Sequence, residues 1–393
     1  MARDSTGLHC GISDGGPDVN ESDSVSVHVN LLWCAHGRVG GSEEYLVRQL
    51  AGLSQLEQPG TSPRISCTLH LGHPLAEART ELESHTQIVA SRNVDRRSTR
   101  MVVEHSRLAL DTRNADLVHH GGGTIPLIRP ATPTLLTIHD LQYLRFPQYF
   151  SAARLRYLRV MMPRSARAAT MIATPTAHVA DDVAAEFSVD RSKIVVVPHG
   201  VPKLVTDEDE VGRQRGLVGS YGALIVYPAI THPHKGHARL IEAMRHLPDA
   251  RLVLIGGVGS AEDDVQRAIS VSRNPDQILR LGRVPDGIRN ALIAAADLVV
   301  IPSEEEGFGA PVIEAMTLGT PVVCSDIGAL REVAGSAAVF IGREPDAIAN
   351  GVQEGLQRSA QLSDAGRKQS VNFTLATSGA ALRDAYLQAV NRV

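Results

Sequence analysis

This chain of 393 residues has little lysine, little cysteine and few aromatic side chains. Only four of its 39 basic residues are lysines, so a lysine placed inside a motif is informative. Its four cysteines (Cys10, Cys34, Cys67 and Cys324) are scattered, with no C-x-x-C spacing. That argues against a disulfide framework and suits a reducing, cytoplasmic setting. No run of 18 apolar residues occurs, so no membrane-spanning helix is expected. Positive charge is not in excess: the net charge of −4 argues against general nucleic-acid binding. The N-terminus has no apolar segment of the kind a signal peptide needs. Residues 1–24, rich in Gly, Ser and Asp, read as a disordered tail.

What is present is an ordinary hydrophobic content of 43%, enough for the cores of two or three domains. Apolar runs alternate with helical patterns along the chain, which predicts an α/β architecture of parallel, doubly wound sheets. The most informative stretch runs from Pro302 to Asp326. The apolar strand 297–301 leads into Glu304-Glu305-Glu306, then Gly307-Phe308-Gly309. A helix follows, with Pro311 as its first residue and Gly319 at its end, and then a buried strand over 321–324. A helix N-terminus behind a glycine loop presents free N–H groups to an anion. Two carboxylates, Glu306 and Glu314, stand eight residues apart beside that position. Carboxylates would repel a bare phosphate but accept hydrogen bonds from sugar hydroxyls, so a nucleotide sugar fits both features. By spacing alone these glutamates read as readily as a solvated loop and an exposed helix residue. The glycines, Pro311 and the flanking strands favour the ligand.

This segment resembles the E-x7-E signature of the retaining glycosyltransferases of family 4. Their fold, GT-B, sets two Rossmann-like domains face to face across a cleft. The resemblance extends from about Val27 to the C-terminus. It implies an acceptor-side domain over 25–201, a linker over 202–222, a nucleotide-sugar-binding domain over 223–371, and a terminal helix over 372–393 that returns to the first domain. It implies transfer of a hexose, mannose favoured, from a GDP- or UDP-linked donor to an acceptor hydroxyl on a glycan or lipid-linked molecule, with no metal and no further cofactor. The implied catalytic groups are Glu306 at the sugar, Lys235 at the diphosphate and His139 near the bond being broken. The donor would also meet Gly40, Gly41, Gly307, Phe308, Gly309, Ala310, Pro311, Val312, Glu314, Arg283 and Val284, with Glu314 at the ribose.

Other motifs bear on this reading. Gly37-Arg38-Val39-Gly40-Gly41-Ser42 precedes a helix, with Ser42 the expected N-cap; it is a second anion site or a tight turn. His120-Gly121-Gly122-Gly123 has the form of an esterase oxyanion loop, but no G-x-S-x-G accompanies it, so it reads as a cleft-lining loop. His139-Asp140 closes a buried strand, where α/β sheets bind ligands; Asp140 reads as a cap for the following loop. Lys235 sits at a strand-loop-helix junction, and a compact ammonium suits a diphosphate. The family's arginine five residues earlier is replaced by Ile230, leaving His232, His234 and distant arginines as substitutes. The family's tryptophan near residue 374 is also missing. Asp207-x-Asp209 lies in an acidic stretch and reads as a chance match to a metal motif, and Gly257-x-Gly259 lacks a third glycine. The Arg-rich segment 92–113 reads as a solvated face, with a basic helix lying on an anionic membrane as the other reading. Peripheral membrane contact and oligomeric state stay open. The alternatives to transfer are an epimerase of the same fold and a non-catalytic nucleotide-sugar-binding subunit.

Overall fold

Short runs of Val, Ile and Leu become strands buried on both faces, as parallel sheets flanked by helices require. The computed structural model describes residues 24–37, 39–57, 60–90, 93–219 and 221–392. The expected N-terminal tail thus falls almost entirely outside the described residues. The first lobe holds β1 (Ser24–Asn30), β2 (Arg64–Leu71), β3 (Thr86–Val89), β4 (Leu117–His120), β5 (Thr134–Thr137), β6 (Met171–Thr174) and β7 (Ile194–Val196). The second holds β8 (Ala223–Pro228), β9 (Ala250–Ile255), β10 (Ile278–Gly282), β11 (Leu298–Ile301), β12 (Val322–Ser325) and β13 (Ala338–Ile341). The sheets are ordered β3-β2-β1-β4-β5-β6-β7 and β10-β9-β8-β11-β12-β13. Their strand pairs are parallel. Strand order reverses between β1 and β4 and again between β8 and β11. Ligands of open α/β sheets bind outside the carboxyl ends of strands at such reversals. The glycine loop after β1, the His120–Gly123 loop after β4, the Lys235 loop after β8 and the glutamate loop after β11 all leave from those ends.

The terminal helix, Leu375–Asn391, returns to the first lobe and lies along the helix Gly41–Leu56. Leu382, Ala385, Tyr386 and Ala389 join the first lobe's core. A Cβ on Gly52 would stand 2.0 Å from the Leu375 carbonyl oxygen, so this close approach needs a residue without a side chain. The Tyr386 hydroxyl meets His119 Nδ1 at 2.9 Å, fixing that histidine as part of the core. Beside this crossing the Val201 N–H donates to the Phe373 carbonyl at 2.8 Å. The chain therefore passes between lobes twice along one narrow seam.

Two expectations need revision. The acidic stretch 202–222 is not simply a tether: it contains the helix Glu208–Leu217. Asp207 accepts from the Asp209 N–H at 3.1 Å as its cap. Glu208, Asp209 and Glu210 complement the positive end of the helix. Arg215 ties the helix to Asp297 at 2.8 Å, so the helix belongs to the second lobe. Ser42 is not the N-cap of the first helix. Gly40 holds that position at φ 59°, and Ser42 is already inside the helix.

Candidate active site between the lobes

Each glutamate of the 304–306 loop takes its own cation. Glu304 accepts from Arg239 at 2.6 Å, Glu305 from Arg145 Nη1 at 2.8 and 2.7 Å, and Glu306 from Lys235 Nζ at 2.7 Å. Burial raises the Glu305 carboxyl above its ordinary pKa, against the pull of Arg145. These glutamates line an interlobe cavity of about 470 Å³ with Arg145, Phe146, His178, Ile327 and Arg343. Lys235 itself is held from behind. The Tyr227 hydroxyl donates to its carbonyl at 2.7 Å, placing the ammonium against Glu306.

Gly309 takes φ 86° as the N-cap of the helix Ala310–Leu318, so Pro311 is its second residue, one later than the sequence indicates. The Phe308 ring is buried between His199 and Phe373, at 5.4 Å from each, so only its backbone is open to a ligand. Val312 is likewise a core side chain. Gly307 presses against the first lobe: a Cβ there would lie 2.0 Å from the His139 carbonyl oxygen. Its own carbonyl accepts from Thr176 Oγ1 at 3.0 Å. Strand-end residue His139 and the glutamate loop are thereby brought together.

Burial lowers the pKa of His139, keeping the ring neutral. Nε2 donates to the Gly121 carbonyl at 2.8 Å, so the other ring nitrogen, Nδ1, is an acceptor. Tyr45 and Trp33 fix the ring from two sides. Asp140 Oδ1 accepts from the Gln142 N–H at 3.0 Å, the loop-capping role its position suggested.

The remaining predicted residues line a second run of the cleft. An added Cβ would stand 3.5 Å from the Arg283 guanidinium at Gly37 and 3.4 Å from the Ile230 side chain at Gly40. Gly41 faces open space. Val284 packs on the second lobe's core. Glu314 is buried, away from the 470 Å³ cavity. Its Oε1 accepts from Arg48 Nη2 at 2.9 Å and its Oε2 from Arg289. Lys235 and Glu306 thus meet directly, whereas Glu314 is joined to the first lobe through Arg48.

Arg48 and Arg289 were missed in the sequence. Arg48 stands four residues after Glu44 and reads as an ordinary helical ion pair, which it also makes, at 2.9 Å. Nothing local signals a partner 266 positions away. His232 and His234 do not replace the charge absent at Ile230. Burial, reinforced by Lys235, lowers His232 and takes His234 down to about 3, so both are neutral. Among the described residues, the cations along the cleft include Lys235, Arg48, Arg145, Arg239, Arg283, Arg289 and Arg343. The glycine loop is itself braced, the Gly37 N–H donating to Glu43 at 3.1 Å while Arg79 holds the same carboxylate at 2.7 Å.

The description "Glycosyltransferase Family 4" matches residues 39–203, and "Glycosyl transferases group 1" matches residues 213–369. The O-antigen chain mannosyltransferase B of Escherichia coli is 28% identical over 65% of this chain and 71% of its own. The O-antigen chain mannosyltransferase RfbU of Salmonella typhimurium is 27% identical over 66% and 69%. Among solved structures, Anabaena HepE in complex with UDP and glucose superposes with a TM-score of 0.72 at 19% identity, over 93% of this chain and 100% of that one. WaaG, a glycosyltransferase involved in lipopolysaccharide biosynthesis, superposes with a TM-score of 0.67 at 14% identity, over 92% and 99%. Both likenesses are of fold.

Proposed function

Since this chain belongs to the glycosyltransferases of family 4, with the GT-B fold and a nucleotide-sugar donor, we propose that it moves a hexose to an acceptor hydroxyl with retention of anomeric configuration. The observation that carries this reading is the Lys235–Glu306 pair beside the N-terminus of the helix Ala310–Leu318. An ammonium and preorganised N–H groups stabilise a departing diphosphate, whose negative charge grows in the transition state. Glu306 then exchanges its ammonium partner for sugar hydroxyls and favours positive charge at the anomeric carbon. His139, neutral and with Nδ1 as acceptor, takes a hydrogen bond from a sugar hydroxyl on the opposite wall.

The bond from the anomeric carbon to the phosphate oxygen breaks, and the bond to the acceptor oxygen forms on the same face. The acceptor's proton passes to the departing phosphate oxygen, so no separate base is needed. The two lobes exclude water, which would otherwise hydrolyse the donor. The pairing of Glu314 with Arg48 and Arg289 supports a role in setting the lobes against each other, and a ribose contact there would have to displace one guanidinium. Mannose as the transferred sugar is supported by the mannosyltransferases among the relatives. A UDP-linked donor is the alternative that the HepE complex supports.

A panel of nucleotide sugars scored by thermal shift, followed by transfer assays with the stabilising donor, tests the proposal. One nucleotide sugar should raise the melting temperature and be consumed by wild type but not by Glu306→Gln. Binding without consumption, whatever acceptor hydroxyl is supplied, would make the chain a binding subunit instead.

A further inference from the structure

A carboxylate of the second lobe caps a helix of the first. The helix Ala177–Phe187 has Thr176 as its N-cap, and Thr176 Oγ1 accepts from the Val179 N–H at 3.3 Å. The two N–H groups before Val179 donate across the cleft instead. Ala177 gives its N–H to Glu332 Oε1 at 2.7 Å, and His178 gives its own to Oε2 at 2.9 Å. Glu332 stands on the helix Gly328–Ala334 of the second lobe. The first N–H groups of a helix have no partner within it, and a carboxylate there also meets the positive end of the dipole.

The capped turn holds a second group of the other lobe. The Thr176 hydroxyl donates to the Gly307 carbonyl at 3.0 Å. Gly307 directly follows Glu306, the carboxylate paired with Lys235. The His178 ring lies against the second lobe as well: a Cβ on Gly328 would come within 2.4 Å of its Nδ1. The same ring lines the 470 Å³ cavity. Three consecutive residues, Thr176 to His178, therefore meet the second lobe at Gly307, Gly328 and Glu332, and the first of these contacts is one residue from Glu306.

We propose that Glu332 is a positioning residue, which sets the closed seating of the lobes through the turn 176–178 and so places Glu306 against the sugar. His139 belongs to the first lobe and Glu306 to the second, so the space between them depends on how the lobes are seated. When the lobes part, the Ala177 and His178 N–H groups lose their acceptor and turn to water. Closing restores two charge-assisted hydrogen bonds together with the Thr176–Gly307 bond. A helix cap of ordinary strength shifts an equilibrium by roughly two- to thirtyfold. A shift of that size favours the closed, water-excluding state in which the donor is safe from hydrolysis. The effect on rate rests on the transfer reading, whereas the contact itself does not.

Hydrogen exchange of the full chain, read by mass spectrometry on peptides spanning residues 176–182, tests the contact without turnover. Glu332→Ala should speed exchange of the Ala177 and His178 amides by roughly two- to thirtyfold. Glu332→Gln keeps one acceptor oxygen and should fall between that variant and wild type. Kinetics with the nucleotide sugar that wild type consumes test the positioning. Glu332→Ala should lower kcat by about threefold or more, within the same range, and change the donor KM less. It should also raise the share of donor lost to water, with Glu332→Gln again intermediate. Unchanged exchange in Glu332→Ala overturns the proposal. Faster exchange with wild-type kcat and a wild-type share of hydrolysis makes Glu332 a helix cap alone and overturns the positioning role. A wild type that consumes no nucleotide sugar sinks the transfer reading and the positioning role with it, while the exchange result still decides the contact.

Discussion

Glu314 of the second lobe accepts a hydrogen bond from Arg48 of the first at 2.9 Å, with both side chains buried. Arg48 is gripped in turn by Glu44, and Arg79 bridges Glu44 to Glu43 beneath the glycine loop. The glycine loop of one lobe is thus linked through this chain of ion pairs to the helix Ala310–Leu318 in the other.

Arg48→Ala leaves Glu314 with Arg289 alone. Removing one partner of a buried ion pair costs about 3–5 kcal/mol, and the remaining guanidinium puts this case near the lower end. A urea titration of the variant should show that loss. Arg48→Lys should not restore stability, because one ammonium cannot hold two carboxylates on separate elements as a planar fork does. Full stability in the lysine variant would contradict this account.

Gly307→Ala should disturb the seating of the lobes. Its Cβ would fall 2.0 Å from a backbone oxygen of the other lobe, which cannot rotate away. The lobes must separate locally, and a misplacement near 1 Å can cost about a hundredfold in rate. Circular dichroism should be unchanged while kcat/KM falls by at least tenfold. Wild-type kcat/KM would show that this contact is not maintained during turnover.

Lys235→Ala should lower kcat/KM by about 10²–10³, the range expected when a donor to a developing oxyanion is lost. His139→Ala should lower it less, and chiefly for donors carrying the hydroxyl that Nδ1 accepts from. Deoxy-sugar donors distinguish the two: they should narrow the gap between wild type and His139→Ala but leave the Lys235→Ala defect intact.

Stability should fall with acid earlier than carboxylate titration would cause. Burial holds His119, His120, His199 and His234 at about 3, and His70 and His237 at about 4. These folded values lie below the unfolded one, so the neutral rings stabilise fully above about pH 6.5 and progressively less as pH falls toward 3–4. Each contributes a slope of about 1.4 kcal/mol per pH unit inside that window. Denaturant midpoints at pH 7.5 and 5.5 should therefore differ markedly, with the lower at pH 5.5. Equal midpoints would mean these histidines are not held neutral.

The fold was legible because β11 and β12 are continuous apolar runs bounded by turn residues, a pattern that reads the same in isolation as in the sheet. Gly309 and Pro311 marked a helix start for local backbone reasons, and the helix begins at Ala310, one residue before Pro311. The three glutamates were visible, but the cation each takes was not. Arg145 ends the short helix Gln142–Arg145 of the first lobe, while Lys235 and Arg239 come from the turn and helix after β8, and chain folding alone brings them to the glutamates. Glu208–Leu217 was hidden by its composition, since a helix with an acidic first turn resembles an acidic tether when its packing partner is 80 residues away. Phe308 looked like a ligand contact in its motif. It proves to be an interior aromatic, because His199 and Phe373 arrive beside it from the interlobe seam.

The central claim is that the Lys235 ammonium, paired with Glu306 at 2.7 Å, is the group that takes the donor's diphosphate. Calorimetric titration of the matching nucleoside diphosphate, without sugar, tests it most directly in three proteins. Lys235→Ala should bind at least tenfold more weakly than wild type, and Glu306→Gln should bind more tightly, because the ammonium is released from its carboxylate. Unchanged affinity in Lys235→Ala, or weaker binding in Glu306→Gln, would contradict the account.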